Sequence, residues 1–288
     1  MVVYQLTPIL KVNSILYYNQ EEMKKLIIII SLMSVLFSCE KEICRDEEIK
    51  EPVTLTYTVG TPVEIQIKSA DGEGDEINAL WYGVYHKKEN GTYVYMSDMS
   101  AYVPVTDASA KISVPIVLFK DQEYKIIFVA QYVSGNTYTY LVDENGNLTL
   151  NENAIITSGE QLDAFVYWEE TGKITNDFKK EIELTRPLAQ INFTTTASEK
   201  PKKVSIKVNG VCDTYNVFEK IYSPQTGTIE VEGLQCSGED LGTIYFLTGP
   251  YQVDVEMRLE YFNGTEVTKT VPNVSVAPNY KTNIKGNI

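Results

Sequence analysis

The residue with the clearest chemistry is Cys39, which stands at the end of a short apolar segment. Lys24 and Lys25 precede residues 26–37, which are apolar except for two serines, and Ser38 and Cys39 follow. A basic head, an apolar core of about 7–15 residues and a small residue before the cut make a secretory signal. A cysteine just after the cut is typical of a lipoprotein, in which the thiol is acylated. The segment is shorter than the roughly 20 residues that a spanning helix needs.

The match to a lipoprotein signal is imperfect, because Phe37 stands where a smaller residue is usual. An ordinary secretory signal or a short membrane-anchoring helix are the alternatives. A signal is read at the N-terminus, so we expect translation to start at Met23, residues 1–22 to be a misassigned start, and residues 23–38 to be the signal peptide. Cys39 would then carry acyl chains such as palmitate, which bind a membrane with about 0.8 kcal/mol per buried methylene.

Residues 39–52 form an acidic segment with few bulky apolar side chains. This composition predicts a solvated tether between the lipid and the folded part of the chain. Residues 39–288 carry 37 of the 39 acidic and 22 of the 25 basic residues, a formal net charge of −15. Such a surface repels phosphate backbones, which argues against nucleic acid as a partner. It also leaves the lipid as the link to a membrane.

Histidine chemistry would have to use His86, the one histidine in the sequence. It lies beside Lys87 and Lys88 on a predicted hairpin, which favours an exposed strand-end residue over a catalytic or metal-binding one. Glu169 and Glu170 are predicted to lie in a turn, and adjacent strand residues point to opposite faces, so they make a poor acid and base pair. No glycine-rich elbow surrounds a serine. We therefore expect no catalytic residues, no metal site and no cofactor.

Two segments, residues 71–75 and 143–147, have part of the spacing of a calcium loop. Both lack the sixth-position glycine and the twelfth-position acid that bend the loop and complete coordination, so turns are the preferred interpretation. Trp81, Trp168 and some of the 20 tyrosines offer rings for stacking on a sugar. At strand positions such rings more often pack in the core or across strands.

The cysteines after Cys39 are Cys44, Cys212 and Cys236. An exported protein meets conditions that oxidise thiols. Cys212 and Cys236 fall in one predicted domain, and two interpretations stand: a disulfide between them, or two buried free thiols. Cys44 is left over in either case.

Short alternating segments separated by turn residues predict an all-β fold. Residues 53–59 alternate apolar and polar side chains, as in a strand with one buried face. Residues 124–133 are apolar at the centre and predict an interior strand, and Asn263-Gly264 predicts a hairpin turn. Strand signals every 8–12 residues are typical of β-sandwiches.

Pro187 cannot donate a ladder hydrogen bond, so it marks an edge, a bulge or a crossing point. We place a boundary near it and predict an N-terminal domain over residues 53–183 and a C-terminal domain over residues 184–288. Residues 137–142 and 279–288 are predicted strands, and residues 161–168 are predicted to be partly helical or a bent strand.

Three stretches combine into a larger pattern, and they are Tyr124–Gln131, then Asp163–Phe165 with Leu184–Phe193, then Val276–Asn287. Together with the lipoprotein signal they resemble the fimbrillin family of Bacteroidota, lipoprotein pilins assembled by donor-strand exchange. The resemblance extends over residues 53–288. The positions that carry the family motif are Arg186, Pro187, Asn279, Thr282 and Asn283.

The resemblance implies two tandem transthyretin-like, Greek-key β-sandwich domains and a location on the outer membrane or in a fimbrium. For shaft subunits it implies cleavage after an arginine, which removes the first strand and leaves a groove for the strand of the next subunit. Strand addition combines main-chain hydrogen bonds with alternate side chains in pockets. Glu40, Lys41 and Glu42 resemble the acidic motif that sends such lipoproteins to the outer face of the outer membrane, and a plain soluble linker is the alternative.

The sequence departs from the shaft pattern in two ways. Arg45 lies in the tether, so cleavage there would release the lipid and open no groove, and Arg186 is expected to be buried or paired. The sequence also stops at Ile288, soon after the last motif, without a further segment to donate. Both departures favour an anchor or accessory subunit, although a different protease acting at Lys68 remains an alternative.

The first functional hypothesis is therefore a fimbrillin-like cell-surface lipoprotein with a structural or adhesive role in fimbriae. Its expected partners are the membrane, through the lipid on Cys39, other subunits, through strand addition, and ligands on host or bacterial surfaces. The second hypothesis is a surface glycan-binding lipoprotein of a polysaccharide-uptake system, which would use the aromatic side chains.

Overall fold

The computed structural model of the chain describes residues 51–60, 76–108 and 110–287. These residues form an all-β fold with two short 3₁₀ turns, Ser97–Met99 and Gly159–Leu162. The strands are, in chain order, β1 (Pro52–Gly60), β2 (Ala79–Lys87), β3 (Tyr93–Tyr95), β4 (Ala101–Pro104), β5 (Ile112–Phe119), β6 (Glu123–Gln131), β7 (Val133–Ser134), β8 (Thr137–Tyr138), β9 (Tyr140–Val142), β10 (Asn147–Leu150), β11 (Ala164–Lys173), β12 (Phe178–Glu183), β13 (Leu188–Thr195), β14 (Lys203–Val211), β15 (Thr214–Asn216), β16 (Ile221–Tyr222), β17 (Gly227–Gln235), β18 (Asp240–Leu247), β19 (Tyr251–Glu260), β20 (Glu266–Val276) and β21 (Lys281–Gly286).

The strands assemble into five sheets of three or more strands and one short hairpin. Sheet 1 has the order β12-β1-β5, and sheet 2 has the order β11-β6-β2-β3 with β4 also paired to β2. Sheet 3 has the order β18-β13-β21, and sheet 4 has the order β17-β14-β19-β20. Sheet 5 has the order β16-β15-β10-β9, and β7 pairs with β8.

Sheets 1 and 2 enclose one core of buried side chains, to which β1, β5, β6 and β12 contribute. In β5 the residues Val114, Ile116 and Leu118 are buried, and the residues between them are exposed. This period of two is the pattern of a strand with one face on a core and the other towards solvent.

Strand β6 is buried on both faces, which explains its apolar centre. Ile126 and Phe128 pack in the core shared with sheet 1, whereas Ile127 and Val129 pack in a second core. Successive strand residues point to opposite faces, so only a strand covered on both sides needs this unbroken apolar run. The predicted interior strand is therefore confirmed.

The second core contains the buried side chains of sheets 3 and 4. In β19 every second residue from Val253 to Leu259 is buried.

The sheets on each side of Pro187 in the sequence include one parallel strand pair. β1 runs parallel to β12, and β13 runs parallel to β21. The two halves thus share an arrangement although the sequence shows no clear internal repeat.

Sheet 5 takes β9 and β10 from before residue 183 and β15 and β16 from after it. Leu148 pairs with Tyr215, and both side chains lie in the second core. All the described residues belong to one compact unit. The division into domains at residues 183 and 184 therefore stays a prediction.

Several elements differ from the sequence predictions. Glu169 and Glu170 lie on β11 rather than in a turn, because Ala164–Lys173 pairs with β6 along its length. The predicted strand 137–142 is broken at Thr139, where the chain leaves its pairing with β7 and begins to pair with β10. The last strand begins at Lys281.

Candidate functional site

Strand β1 lies at the centre of sheet 1, with a partner on each side. It pairs with β5 from Pro52, opposite Phe119, to Val59, opposite Ile112. It pairs in parallel with β12 from Leu55, opposite Phe178. A backbone with both edges paired has its N–H and C=O groups satisfied, so β1 acts as the central strand of a groove formed by β5 and β12.

The inward side chains of β1 are nearly inaccessible. Val53, Leu55, Tyr57 and Val59 are at most 5% exposed, and they alternate with threonines that are half-buried. The Tyr57 ring packs on Phe128 with a centroid distance of 5.1 Å. Burying an apolar side chain of this size stabilises the fold by about 1.5–3 kcal/mol.

Tyr57 also ties β1 to sheet 2 through its hydroxyl. The Tyr57 hydroxyl donates to Glu169 Oε1 at 2.6 Å, and the Tyr167 hydroxyl donates to Glu169 Oε2 at 3.0 Å. Lys180 from β12 forms an ion pair with the same carboxylate. Burial, and after it the Glu169 carboxylate, raises the pKa of Tyr57 far above its usual value, so the hydroxyl stays protonated and keeps donating.

A second polar site is buried between the ends of β11 and β13. Arg186 Nε donates to Asp163 Oδ1 and Arg186 Nη2 donates to Asp163 Oδ2, both at 2.7 Å. The Arg186 guanidinium lies 4.6 Å from the centroid of the Phe165 ring and 5.3 Å from that of Tyr245. Burial raises the pKa of the Asp163 carboxyl, and the adjacent Arg186 opposes this shift.

The three stretches that carry the family resemblance lie next to one another. The first stretch meets the second where Gln131 of β6 pairs with Ala164 of β11. Arg186 and Pro187 precede β13, which runs parallel to β21. There Thr282 pairs with Ile191, and Asn283 pairs with Asn192. Each pairing joins segments that are far apart in sequence.

Two residues of the motif act at the ends of these strands. The Asn279 backbone N–H donates to the Leu188 carbonyl oxygen at 2.7 Å, and its φ of 59° turns the chain into β21. Pro187 is buried where the chain crosses from sheet 1 to sheet 3, and its carbonyl oxygen accepts from the Tyr222 hydroxyl at 2.7 Å. A crossing point is one of the three roles that the sequence predicted for Pro187.

Several predicted site residues lie outside the described part of the chain. They are Ser38, Cys39, Glu40, Lys41, Glu42, Cys44, Arg45 and Lys68, together with the segment 71–75. The predictions of lipidation, signal cleavage, surface export and proteolysis therefore stay predictions.

The disulfide between Cys212 and Cys236 is not present, and both thiols are free. The Cys236 N–H donates to the carbonyl oxygen of Lys202, just before β14, whereas Cys212 follows the last residue of β14. A nine-residue strand thus separates the two cysteines, and at about 3.3 Å per residue this is far beyond the roughly 7 Å between Cα atoms that a disulfide spans.

The other candidates for chemistry have structural roles. The His86 Nε2 atom lies 2.9 Å from Gln122 Oε1 at the end of β2. Asp143 Oδ1 accepts from the N–H groups of Asn145 and Asn147, so this segment is a turn. Glu170 accepts from the Tyr93 hydroxyl, on the opposite face from Glu169. No group of three His, Cys, Asp or Glu side chains in the described ranges is placed to hold a metal ion.

Neither tryptophan, both of which lie in the described ranges, presents an open ring face for a sugar. Trp81 is 7% exposed and lies in the second core, and Trp168 packs edge-on against Phe218 at 5.5 Å. A cavity of about 350 Å³ lies beside sheet 5, but its aromatic lining is Tyr140 and Phe246, both of which are buried. The tryptophans and this cavity thus give no specific support to a glycan site.

A family model described as a family of unknown function, DUF6562, matches residues 47–288. No curated protein matches the chain. Among the described residues, no helix is long and apolar enough to cross a membrane.

The solved structures that the chain resembles include fimbrial and adhesion proteins of Bacteroidales. A candidate cell adhesion protein from Bacteroides fragilis has 11% identity and a TM-score of 0.45, covering 82% of this chain and 92% of its own. The C-terminally truncated tip fimbrial protein Mfa3 from Porphyromonas gingivalis has 11% identity and a TM-score of 0.43, covering 82% and 94%. The fimbrial anchor protein Mfa2 from the same organism has 14% identity and a TM-score of 0.42, covering 77% and 82%.

Proposed function

We propose that this chain, which belongs to the family of unknown function DUF6562, is a lipid-anchored surface protein that serves as an anchor or accessory subunit of a fimbria. It is held on the outer membrane through the lipid on Cys39. It binds other fimbrial subunits by strand addition, and its exposed surface binds ligands on host or bacterial cells. The proposal includes two tandem sandwich domains, residues 53–183 and 184–288.

The observation that carries this proposal is the position of β1 between β5 and β12. Four inward side chains of β1 are buried, and both backbone edges are paired. At about 1.5–3 kcal/mol for each side chain, loss of β1 would remove a stabilisation comparable to that of a whole domain. The groove is therefore stable only when it is filled, either by β1 or by a strand with the same alternation.

A groove that keeps its own β1 in the mature protein would suit a terminal role in an assembly. A subunit whose own β1 occupies the groove cannot accept the strand of another subunit there, so assembly in that direction ends with it. Arg45 supports the same role, because it precedes β1 in the sequence and cleavage after it leaves β1 in place. An anchor or accessory subunit needs such an arrangement, and a shaft subunit needs the opposite.

The test is mass spectrometry of the mature protein released from cells. We expect an N-terminal acylated Cys39 and an intact segment 52–60. Cys39→Ala should abolish acylation and release the protein from membranes, whereas Cys44→Ala, five residues further along the same tether, should leave both unchanged. A mature N-terminus at or near Lys68 would contradict the anchor role, because β1 would then be lost.

A second measurement addresses the assembly partner. A chain that binds other subunits by strand addition should appear in oligomers that resist SDS without boiling, because exchange of a fully paired strand is slow. A ligand-dependent rise in the unfolding temperature with soluble polysaccharides, in the absence of such oligomers, would favour the glycan-binding alternative.

A further inference from the structure

Tyr102 on β4 and Tyr138 on β8 form the closest ring pair among the described residues. Their ring centroids are 3.7 Å apart and the ring planes differ by 8°. Tyr102 is 38% exposed and Tyr138 is half-buried, so reagents in solvent can reach the pair. The two phenol rings lie face to face at the surface.

Regular structure holds each ring in place. Tyr102 sits opposite Trp81 in the pairing of β4 with β2. Strand β7, which pairs with β8, is held by Asn78. The Asn78 side chain donates to the Val133 carbonyl oxygen at 2.9 Å and accepts from the Val133 N–H at 2.7 Å. The stack is therefore set by two anchored strands and not by one mobile side chain.

The geometry of this pair differs from that of the other tyrosine pairs. Aromatic rings prefer offset or edge-to-face contacts to a direct sandwich. The tyrosine pair Tyr215–Tyr222 lies at 4.6 Å with a tilt of 36°. The pair Tyr85–Tyr95 lies at 5.3 Å with a tilt of 52°. Only the Tyr102 and Tyr138 rings, of these three pairs, are parallel and in face contact.

A chain of rings leads from the interior to this pair. Trp81 lies 6.4 Å from Tyr102 and 6.4 Å from Tyr95, and Tyr95 lies 5.3 Å from Tyr85. Oxidised tryptophan and tyrosine exchange electrons readily with rings at such distances. An oxidising equivalent that arises along the chain can therefore end on Tyr102, at the exposed end.

We propose that Tyr102 and Tyr138 are a site of oxidative modification, where a one-electron oxidant of the peroxidase and peroxide class joins them in an intramolecular dityrosine. Each phenol loses one electron and one proton to give a phenoxyl radical. The two radicals form a carbon–carbon bond between positions ortho to the oxygens, and the two ring protons move to the oxygens to restore both phenols. The oxidant takes up two electrons and two protons, which reduce one peroxide to two waters.

The cross-link would join β4 of sheet 2 to β8 of the separate β7–β8 hairpin. It closes the chain from β4 through β5, β6 and β7 to β8, and a bond that closes a loop lowers the entropy of the unfolded chain. Treated protein should therefore unfold at a higher temperature than untreated protein. This consequence follows from the ring geometry and does not depend on the proposed fimbrial role.

The experiment treats the dilute full chain with peroxidase and hydrogen peroxide and maps the tryptic peptides by mass spectrometry. Trypsin separates the two tyrosines, since Lys111, Lys120 and Lys125 lie between them. We expect one new species, in which the peptides of Tyr102 and Tyr138 are joined with the loss of two hydrogen atoms, together with dityrosine fluorescence from the monomer.

Matched variants decide the assignment. Tyr102→Phe and Tyr138→Phe keep the ring and the stack but remove the phenol, so each should abolish the joined peptide and the rise in unfolding temperature. Tyr280→Phe removes a tyrosine that is more exposed, at 56%, and should leave both unchanged. Absence of the joined peptide, a cross-link between other tyrosines, or dityrosine found only in covalent dimers would overturn the proposal.

Discussion

Asp163 and Arg186 form a bidentate ion pair whose side chains are 0% and 1% exposed, with Arg186 Nη2 2.7 Å from Asp163 Oδ2. Asp163 directly precedes β11, which belongs to sheet 2, and Arg186 closely precedes β13, which belongs to sheet 3. The pair thus fixes the point at which the chain passes from one half of the fold to the other. The planar guanidinium of arginine can bind both carboxylate oxygens at once, and a lysine cannot reproduce this geometry.

Replacing Arg186 with methionine should strongly destabilise the protein. The Asp163 carboxyl would stay buried without its cation, and breaking a buried pair in this way costs about 3–5 kcal/mol. Urea unfolding at neutral pH measures the loss. Arg258→Met is the control, because Arg258 forms an exposed pair with Glu232 at 3.9 Å, and exposed pairs contribute about 0–1 kcal/mol. Equal losses in both variants would contradict the structural role of the buried pair.

The same carboxyl should make stability depend on pH. Burial raises the pKa of Asp163 from 3.8 to about 6, against the effect of Arg186. Between these values the folded state holds a proton that the unfolded state has released, so this group lowers stability as the pH rises through the window. The slope is at most about 1.4 kcal/mol per pH unit. Urea unfolding at several pH values measures how the free energy of unfolding depends on pH. We expect the decrease in this window in the native protein and not in Asp163→Asn. Identical pH slopes for the two proteins would contradict the assignment to Asp163.

Tyr57→Phe tests how β1 is held in its groove. The variant keeps the buried ring but removes the 2.6 Å hydrogen bond to Glu169, and hydrogen bonds to charged groups contribute about 1.5–3 kcal/mol. Tyr167→Phe is the matched control, since it removes a longer bond, 3.0 Å, to the same carboxylate from a less buried residue. Hydrogen exchange of the β1 amides should accelerate more in Tyr57→Phe than in the control. The opposite order would show that β1 does not depend on this contact.

The elements that the sequence predicted well are those with local signals. The alternation of residues 53–59 predicts β1, and Asn263-Gly264 predicts the turn between β19 and β20, where Gly264 has a φ of 82°. The alternation of a strand and the residue types of a turn involve only residues that are close in the sequence, so they can be recognised from one sequence alone. The all-β fold follows from the repetition of such signals.

The features that the sequence did not predict depend on residues far apart. The pairing of β1 with β12 joins Leu55 to Phe178 in parallel, and neither segment encodes its partner. Arg186 was expected to be buried or paired, and it is both. Its partner Asp163 was not predicted, because their contact depends on the crossing at Pro187, which the period of neither strand specifies. The sequence left open whether Cys212 and Cys236 pair, because sequence spacing does not show that β14 separates them.

Gly159→Ala should disrupt the contact between the 3₁₀ turn Gly159–Leu162 and β18. A Cβ at this position would lie 1.5 Å from the Thr243 carbonyl oxygen, which is backbone and cannot rotate away. The turn would have to move from β18, and with it Asp163 and the buried pair, at a cost of about 3 kcal/mol or more. Gly172→Ala is the control. Its φ of 63° adds backbone strain of about 1–2 kcal/mol, but a Cβ there meets no atom within 4 Å. Thermal unfolding of both variants measures the effect. If the unfolding temperature of Gly159→Ala falls no more than that of Gly172→Ala, the close approach of Gly159 to the Thr243 carbonyl oxygen is contradicted.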